Sequence, residues 1–182
     1  MNIDKFQKIV TLRSGRKVLL RTPDVSDAQA FVDFLNQLLA EDTFIDSVPQ
    51  TIKDEEAYIV SMQKNIFNKK EIHIIAISNE EKIGAVDLNY LSLRKKHVRE
   101  LSIFIRKDFR NDGLGNLLIQ EVLKLAKNDL NLSMIILNVF EMNEVATILY
   151  KKFDFKEYGR LPHAILYKGK YIDEVLYYKN LS

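Results

Sequence analysis

Two stretches of this chain hold residue types and spacings that could do chemistry. The first is Phe109-Arg110-Asn111-Asp112-Gly113-Leu114-Gly115-Asn116. An apolar run, Leu101-Ser102-Ile103-Phe104-Ile105, precedes it and reads as a buried strand, while Leu114, Leu117, Leu118, Val122, Leu125 and Ala126 follow at helical spacing. A strand therefore feeds a glycine turn that opens a helix. The first amides of such a helix have no intrahelical partners and point at one spot, where the peptide dipoles add about half a positive charge. Gly113 and Gly115 allow positive φ and close approach of a ligand. The chemistry this predicts is anion binding, most naturally of phosphate. The second stretch runs from Asn143 to Tyr150, seven residues or two helical turns, so both share a face with Ala146 and Thr147 between them. That face is polar and small, and Val145, Ile148 and Leu149 supply an apolar one on the other side. Tyr150 is then either a ligand-facing hydroxyl or an ordinary core tyrosine.

The elements that must position these stretches follow from periodicity. Residues 6–12 and 17–22 read as strands around the Ser14-Gly15 turn. Asp24 and Ser26 offer caps for a helix over about 26–40, whose apolar face is Ala28, Phe31, Leu35, Leu38 and Leu39. A loop from Glu41 to Pro49 follows. A second helix, about 53–68, carries Ala57, Val60, Ile66 and Phe67, with Asp54, Glu55 and Glu56 at its positive end. Strands are expected over 72–77 and 82–90, then the strand entering the glycine turn and its helix. A strand over 134–140, a short helix over 145–152, and strands over about 154–161 and 171–178 around Lys168-Gly169-Lys170 complete the chain. The order ββααβββαβαββ predicts one mixed α/β (α+β) domain spanning 1–182.

Composition narrows the function classes. The 182 residues are 47% apolar, enough for a sizeable core and too apolar for disorder. A formal net charge of +2 argues against a general nucleic-acid binder. The absence of cysteine excludes disulfides, thiol nucleophiles and cysteine metal sites. No apolar run approaches the ~20 residues of a membrane span and the N-terminus lacks a signal-peptide core, so a cytoplasmic protein is expected. His73, His97 and His163 have no metal-ligand spacing, and no metal is expected.

Which phosphate ligand the turn takes depends on its exact residues. A P-loop requires Gly-Lys-Ser/Thr, and here Gly115 is followed by Asn116. A dinucleotide turn requires a third glycine where Leu118 stands, and an early βαβ unit. Arg110-Asn111-Asp112-Gly113-Leu114-Gly115 instead resembles the Arg/Gln-x-x-Gly-x-Gly/Ala signature of the GCN5-related N-acetyltransferase (GNAT) family. Asn143-Glu144-Val145-Ala146-Thr147-Ile148-Leu149-Tyr150 resembles that family's second signature, Asn-x-x-Ala-x-x-Leu-Tyr. The element order is similar over nearly the whole chain. One residue departs: Asp154 stands where the family usually has glycine.

The resemblance implies a mostly antiparallel central sheet with splayed central strands, flanked by about four helices. It implies acetyl-coenzyme A as co-substrate, its pyrophosphate on residues Arg110, Asn111, Asp112, Gly113, Leu114, Gly115 and Asn116. Its pantetheine arm is expected along the backbone of Ile103, Phe104 and Ile105 and against Asn143 and Ala146. Tyr150 is expected to protonate the departing thiolate. Glu100, thirteen residues before Gly113, is a candidate general base for an amine that is protonated at neutral pH; the competing reading pairs it with Arg99 or Lys96. Arg106 and Lys107 flank the phosphate turn.

The acceptor is less legible. Glu41, Asp42, Asp46 and Asp87 could attract a cationic amine, or be solvated carboxylates. The C-terminal Gly169 to Leu176 resembles members acting on small amines, such as polyamines or amino-acid analogues, and on protein N-termini, without separating them. The basic run Arg94 to Arg99 reads as a solvated turn or a contact for an acidic partner. His73 reads as structural, and His163 as open. The expected activity is an N-acetyltransferase working by direct attack in a ternary complex. The alternative is a non-catalytic acyl-coenzyme A binding or sensing module. No nucleic-acid or membrane partner is expected, and exposed strand edges make a homodimer plausible.

Overall fold

A computed structural model describes residues 3–41, 45 and 47–181. Its elements come in the expected order: β1 (Gln7–Thr11), β2 (Lys17–Arg21), α1 (Ala28–Ala40), α2 (Ile52–Phe67), β3 (Ile72–Ser78), β4 (Glu81–Tyr90), β5 (Val98–Ile105), α3 (Leu114–Asn128), β6 (Met134–Phe140), α4 (Glu144–Lys152), β7 (Lys156–Tyr167) and β8 (Lys170–Asn180). The eight strands form one open sheet, β1-β2-β3-β4-β5-β6-β8-β7, antiparallel except between β5 and β6. The fold is thus mixed α/β, with four helices on the sheet. The last hairpin is longer than the periodicity predicts, because its two-residue turn at Lys168 and Gly169 takes positive φ at both positions and keeps the strands paired to their ends.

The main core lies between the sheet and the α3–α4 face. Leu114, Leu118, Ile119, Val122, Leu125 and Ala126 of α3 are buried against Ile74, Ile83, Val86, Leu88 and Leu101 of the strands. Each such leucine, isoleucine or valine contributes about 1.5–3 kcal/mol relative to exposure. On the opposite face a smaller core joins Ala28 and Phe31 of α1, Ile59 and Met62 of α2, and Ile75 and Ala85 of the sheet.

The helix faces differ from expectation in two places. In α2 the buried stripe is Glu55, Ile59, Met62 and Ile66, while Ala57, Val60 and Phe67 are exposed. A Thr51–Asp54 capping box starts this helix at Ile52 and sets that rotation. In α4, Val145 and Ile148 are exposed; the face that packs is Ala146, Leu149, Tyr150 and Phe153. Of the three residues expected to carry the apolar face, Val145 and Ile148 point outward and Leu149 packs, so the helix rests on the stripe that includes Tyr150.

Candidate active site

The parallel pair β5–β6 is short. Val98, Arg99 and Glu100 pair with Met134, Ile135 and Ile136, and the ladder stops there. Beyond it, Leu101 to Ile105 remain paired to β4, and Leu137 to Phe140 to β8, so the two strands part into a wedge. Ile103, Phe104 and Ile105 line its β5 side, half-exposed; Ile103 and Ile105 turn backbone groups toward the β6 side, where they have no sheet partner, while those of Phe104 face β4. A parallel pair places both carboxyl ends at the same end of the sheet, so α3 and α4 begin at the mouth of this wedge. Crevices of that kind are where open α/β sheets bind ligands.

The α3 N-terminus forms one lip. Gly113 has φ +94° and its backbone carbonyl accepts the first helix bond, from Leu117 at 3.2 Å. The amides of Leu114, Gly115 and Asn116 therefore precede the first intrahelical bond. Asn111 also takes positive φ, 60°, which asparagine tolerates better than most side chains. Gly115 has a different task from Gly113. It lies in regular helix, and a Cβ there would stand 3.0 Å from Leu149 Cδ2 and 3.3 Å from Ile105 Cδ1. Its smallness lets α3 touch α4 and β5.

Charged side chains around the turn divide into those already engaged and those beside it. The Asp112 carboxylate accepts from the Ser14 amide at 2.8 Å, the Ser14 hydroxyl at 2.6 Å and Arg16 at 2.7 Å. These bonds hold its pKa down at about 2 and tie the turn to the β1–β2 hairpin, so its side chain faces the hairpin. Arg110 donates to the Ile105 carbonyl at 2.8 Å and to Glu41, which links the end of β5 to the end of α1. Arg106 is held by Glu81 and Asp108, each at 2.7 Å. Two cations that sequence spacing did not single out lie beside the turn. The Arg13 side chain passes 3.6 Å from where a Gly113 Cβ would be, and Lys152 Nζ donates to Asn116 Oδ1 at 2.6 Å. Arg13 is a hundred residues away in sequence, and nothing local marks it.

The α4 N-terminus forms the other lip. Asn143 caps it, its Oδ1 accepting from the Ala146 amide at 3.2 Å, which leaves its side-chain NH₂ to donate elsewhere. At the far end of α4, Phe155 N–H donates to the Tyr150 carbonyl at 3.1 Å and Asp154 N–H to Lys151 at 3.0 Å. This is a Schellman ending with Asp154 at φ 60°, the left-handed position where glycine is usual. Asp154 thus adopts the glycine geometry. Tyr150 is buried between Phe155, at 5.8 Å between ring centroids, and Tyr177, at 6.5 Å. Burial pushes its phenol above the ordinary range, so it stays protonated at neutral pH.

Glu100 sits on the last rung of the β5–β6 ladder, at the apex of the wedge, opposite Asn89. It makes no ion pair among the described residues. Arg99 instead donates to the carbonyls of Lys70, Lys96 and Val98 and lies over Tyr90. On the sheet face that carries Glu100, away from α3, a cavity of about 590 Å³ opens between α1, α2 and the strands. Phe104 and Asp87 line it from the sheet, Phe31 and Phe34 from α1, and Glu55 and Tyr58 from α2. His73, also in its wall, bonds Asp87 at 2.8 Å and Glu71 at 3.0 Å. Burial alone would lower His73, but these two carboxylates outweigh it and raise it to about 9. Of the acidic loop, Glu41 holds Arg110 and the Lys107 amide rather than this cavity. Asp42 and Asp46 lie outside the described residues. His163 is exposed in β7, and its amide donates to Asp173 at 3.1 Å.

Among the described residues no cluster of side chains fit to hold a metal occurs, and no helix is long and apolar enough to cross a membrane.

One parted parallel pair, a glycine turn at its mouth and a capped helix facing that turn make the slot that the two signature stretches led one to expect. Residues 33–155 match the acetyltransferase (GNAT) family, and the chain belongs to that family. Over 80 residues, 44% of this chain and 49% of the other, it is 31% identical to the L-amino acid N-acetyltransferase AaaT of Escherichia coli. The chain spans about half the length of the curated relatives it matches. Its fold is similar to the GNAT acetyltransferase of Streptococcus pneumoniae, with a TM-score of 0.81, 29% identity, and 91% of this chain and 99% of that one covered. It is also similar to the microcin C7 self-immunity acetyltransferase MccE, solved with acetyl-CoA and AMP, at a TM-score of 0.72 and 16% identity, covering 90% and 92%. The last likeness shows the fold alone.

Proposed function

We propose that this chain is an acetyl-CoA-dependent N-acetyltransferase that acetylates a primary amine by direct attack in a ternary complex. The observation that carries this reading is the parting of β5 from β6 beside the free amides of α3, a slot with a phosphate site at its mouth. Bound acetyl-CoA would supply an activated acetyl thioester. The amides of Leu114, Gly115 and Asn116 hold the pyrophosphate, and Arg13 and Lys152 add positive charge beside it. The β6-facing amides of Ile103 and Ile105 and the Ile103 carbonyl take the pantetheine amides beside the Phe104 side chain, and an N–H of that edge stabilises the thioester oxygen as charge develops. Asn143 donates its free NH₂ to the same arm. Glu100, at the apex, removes the amine proton through water, and Tyr150 Oη returns one to the departing sulfur. The cavity between α1, α2 and the sheet holds the amine, with Phe104 at its border with the slot.

Calorimetry with coenzyme A and a thiol-release assay with acetyl-CoA across an amine panel test the reading together. Binding and turnover are expected. Failure to bind coenzyme A would overturn it, and binding without turnover of any amine would favour a non-catalytic acyl-CoA module.

A further inference from the structure

The loops entering β3 and β5 lie at the same end of the sheet, because both strands run antiparallel to β4 between them. The mouth of the slot is at the other end. Buried Arg99 ties the two loops together, donating to the carbonyl of Lys70 and, at 2.9 Å, to that of Lys96. The surface they share is basic. Lys69, Lys70, Arg94, Lys95 and Lys96 are exposed, and none makes an ion pair with a described residue. No acid interrupts either 67–70 or 93–97. The two most exposed large apolar side chains among the described residues are here as well, Leu93 at 79% and Phe67 at 75%. Leu93 opens a single 3-10 turn that buries none of its residues, and Phe67 is the last residue of α2. Both side chains stand proud of the surface, and neither lines the cavity.

Apolar tips set among free cations fit a partner that is negatively charged and soft enough to be penetrated. A nucleic acid is gripped best by arginine and stacks on aromatic faces, whereas four of these five cations are lysine and Leu93 offers no ring. Protein interfaces are depleted of lysine. An anionic bilayer takes compact positive charges at its headgroups and apolar side chains just beneath them. We propose that this end of the sheet docks the chain on an anionic lipid surface, with the lysines and Arg94 at the headgroups and Leu93 and Phe67 in the interface. The expected absence of a membrane partner rests on the lack of a spanning segment, which surface docking does not require. Docked in this way, the chain keeps the mouth of the slot turned away from the lipid and open to a dissolved ligand. Nothing in the docking depends on the acetyltransferase reading, since lipid binding is measured without cofactor or amine.

Vesicle flotation of the full chain at low salt tests it, with phosphatidylcholine alone and with phosphatidylcholine mixed with an equal amount of phosphatidylglycerol. Binding to the anionic vesicles is expected to be at least tenfold tighter and to weaken as salt rises. Lys95→Gln together with Lys96→Gln should lower it about 25-fold, near fivefold for each cation removed, with the melting temperature unchanged. The chain has no tryptophan, so Leu93→Trp reports on the tip alone. Its emission is expected to shift to the blue on anionic vesicles and to be quenched by lipids brominated on their acyl chains. Phe67→Ser should weaken binding without changing its salt dependence. Equal binding to the two vesicles, an unshifted tryptophan emission, or wild-type binding by the double glutamine variant overturns the proposal. Tighter binding of poly(U) RNA or of polyglutamate than of anionic vesicles also overturns it, and assigns the surface to a nucleic acid or to an acidic protein.

Discussion

Tyr150 and Phe155 are locked together twice. Their rings lie 5.8 Å apart, and the Phe155 amide donates to the Tyr150 carbonyl at 3.1 Å. The hydrogen bond ends α4, and the ring contact is the apolar clasp that accompanies such endings. A device that terminates a helix therefore also fixes where the Tyr150 hydroxyl sits. Tyr150 itself is only 6% exposed.

Because the ring provides the packing and the hydroxyl the proton, Tyr150→Phe separates them. Turnover is expected to fall about tenfold or more, with coenzyme A affinity and melting temperature nearly unchanged. The moderate size reflects a thiolate that already leaves fairly well, with a thiol pKa of about 8.5. Parallel loss of affinity and rate, measured by calorimetry and thiol release, would assign Tyr150 to packing instead.

Glu100→Gln tests the base. A base must be deprotonated to act, so the rate rises with pH until it ionises, and removing it should abolish that acid limb of the pH–rate profile. An unchanged profile would transfer the role to another acid on the same sheet face, with Asp87 the first to examine.

Gly115→Ala places a methyl 3.0 Å from Leu149 Cδ2 and 3.3 Å from Ile105 Cδ1. The neighbours must yield, at about 1 kcal/mol of stability, and α3 must tilt away from the slot. Coenzyme A affinity is expected to drop more than stability does. Adding Leu149→Ala makes room, so the double variant should recover affinity beyond the sum of the single effects.

Two groups contribute opposite pH slopes to stability. Asp112 is depressed to about 2 in the folded chain, so its contribution is complete above about 4, the unfolded value, and is lost as pH falls from there through 2. His73 is raised to about 9, so its contribution is complete below about 6.5 and is lost as pH rises from there through 9. Chemical denaturation across pH should show both slopes, with Asp112→Asn flattening the acid one and His73→Gln the alkaline one.

Asp154→Gly should raise stability by about 1 kcal/mol, because φ 60° is strained for aspartate and free for glycine. The Lys179 contact it removes is 3.7 Å long and Asp154 is exposed, so little is lost. Thermal melts measure this directly, and a lower melting temperature would show that the side chain matters more than the backbone.

Much of the architecture is written in local sequence. Strand runs such as Ile72 to Ile77, the glycine turn at 113–115 and the two signature stretches depend on neighbouring residues, whose periodicity and turn chemistry act over a few positions. Helix rotation proved less legible in α2 and α4, where a cap or a packing partner decides which of two apolar faces turns inward. Val145 and Ile148 looked like core and are solvent-facing, while Ala146 and Tyr150 carry the contact.

By itself the sequence determined the element order, the anion turn and its family signature, because each rests on short-range geometry. Tertiary structure decided which charges surround them. Arg110 and Asp112 are engaged with Glu41 and with Ser14 and Arg16, whereas Arg13 and Lys152 arrive beside the turn from distant elements. Glu55 looked like one of three acids on a helix start, and only the packing of α2 on the sheet buries it with an unpaired oxygen. Coulombic and hydrogen-bond partners act through space, so a residue's charge can be read from its name but its use cannot.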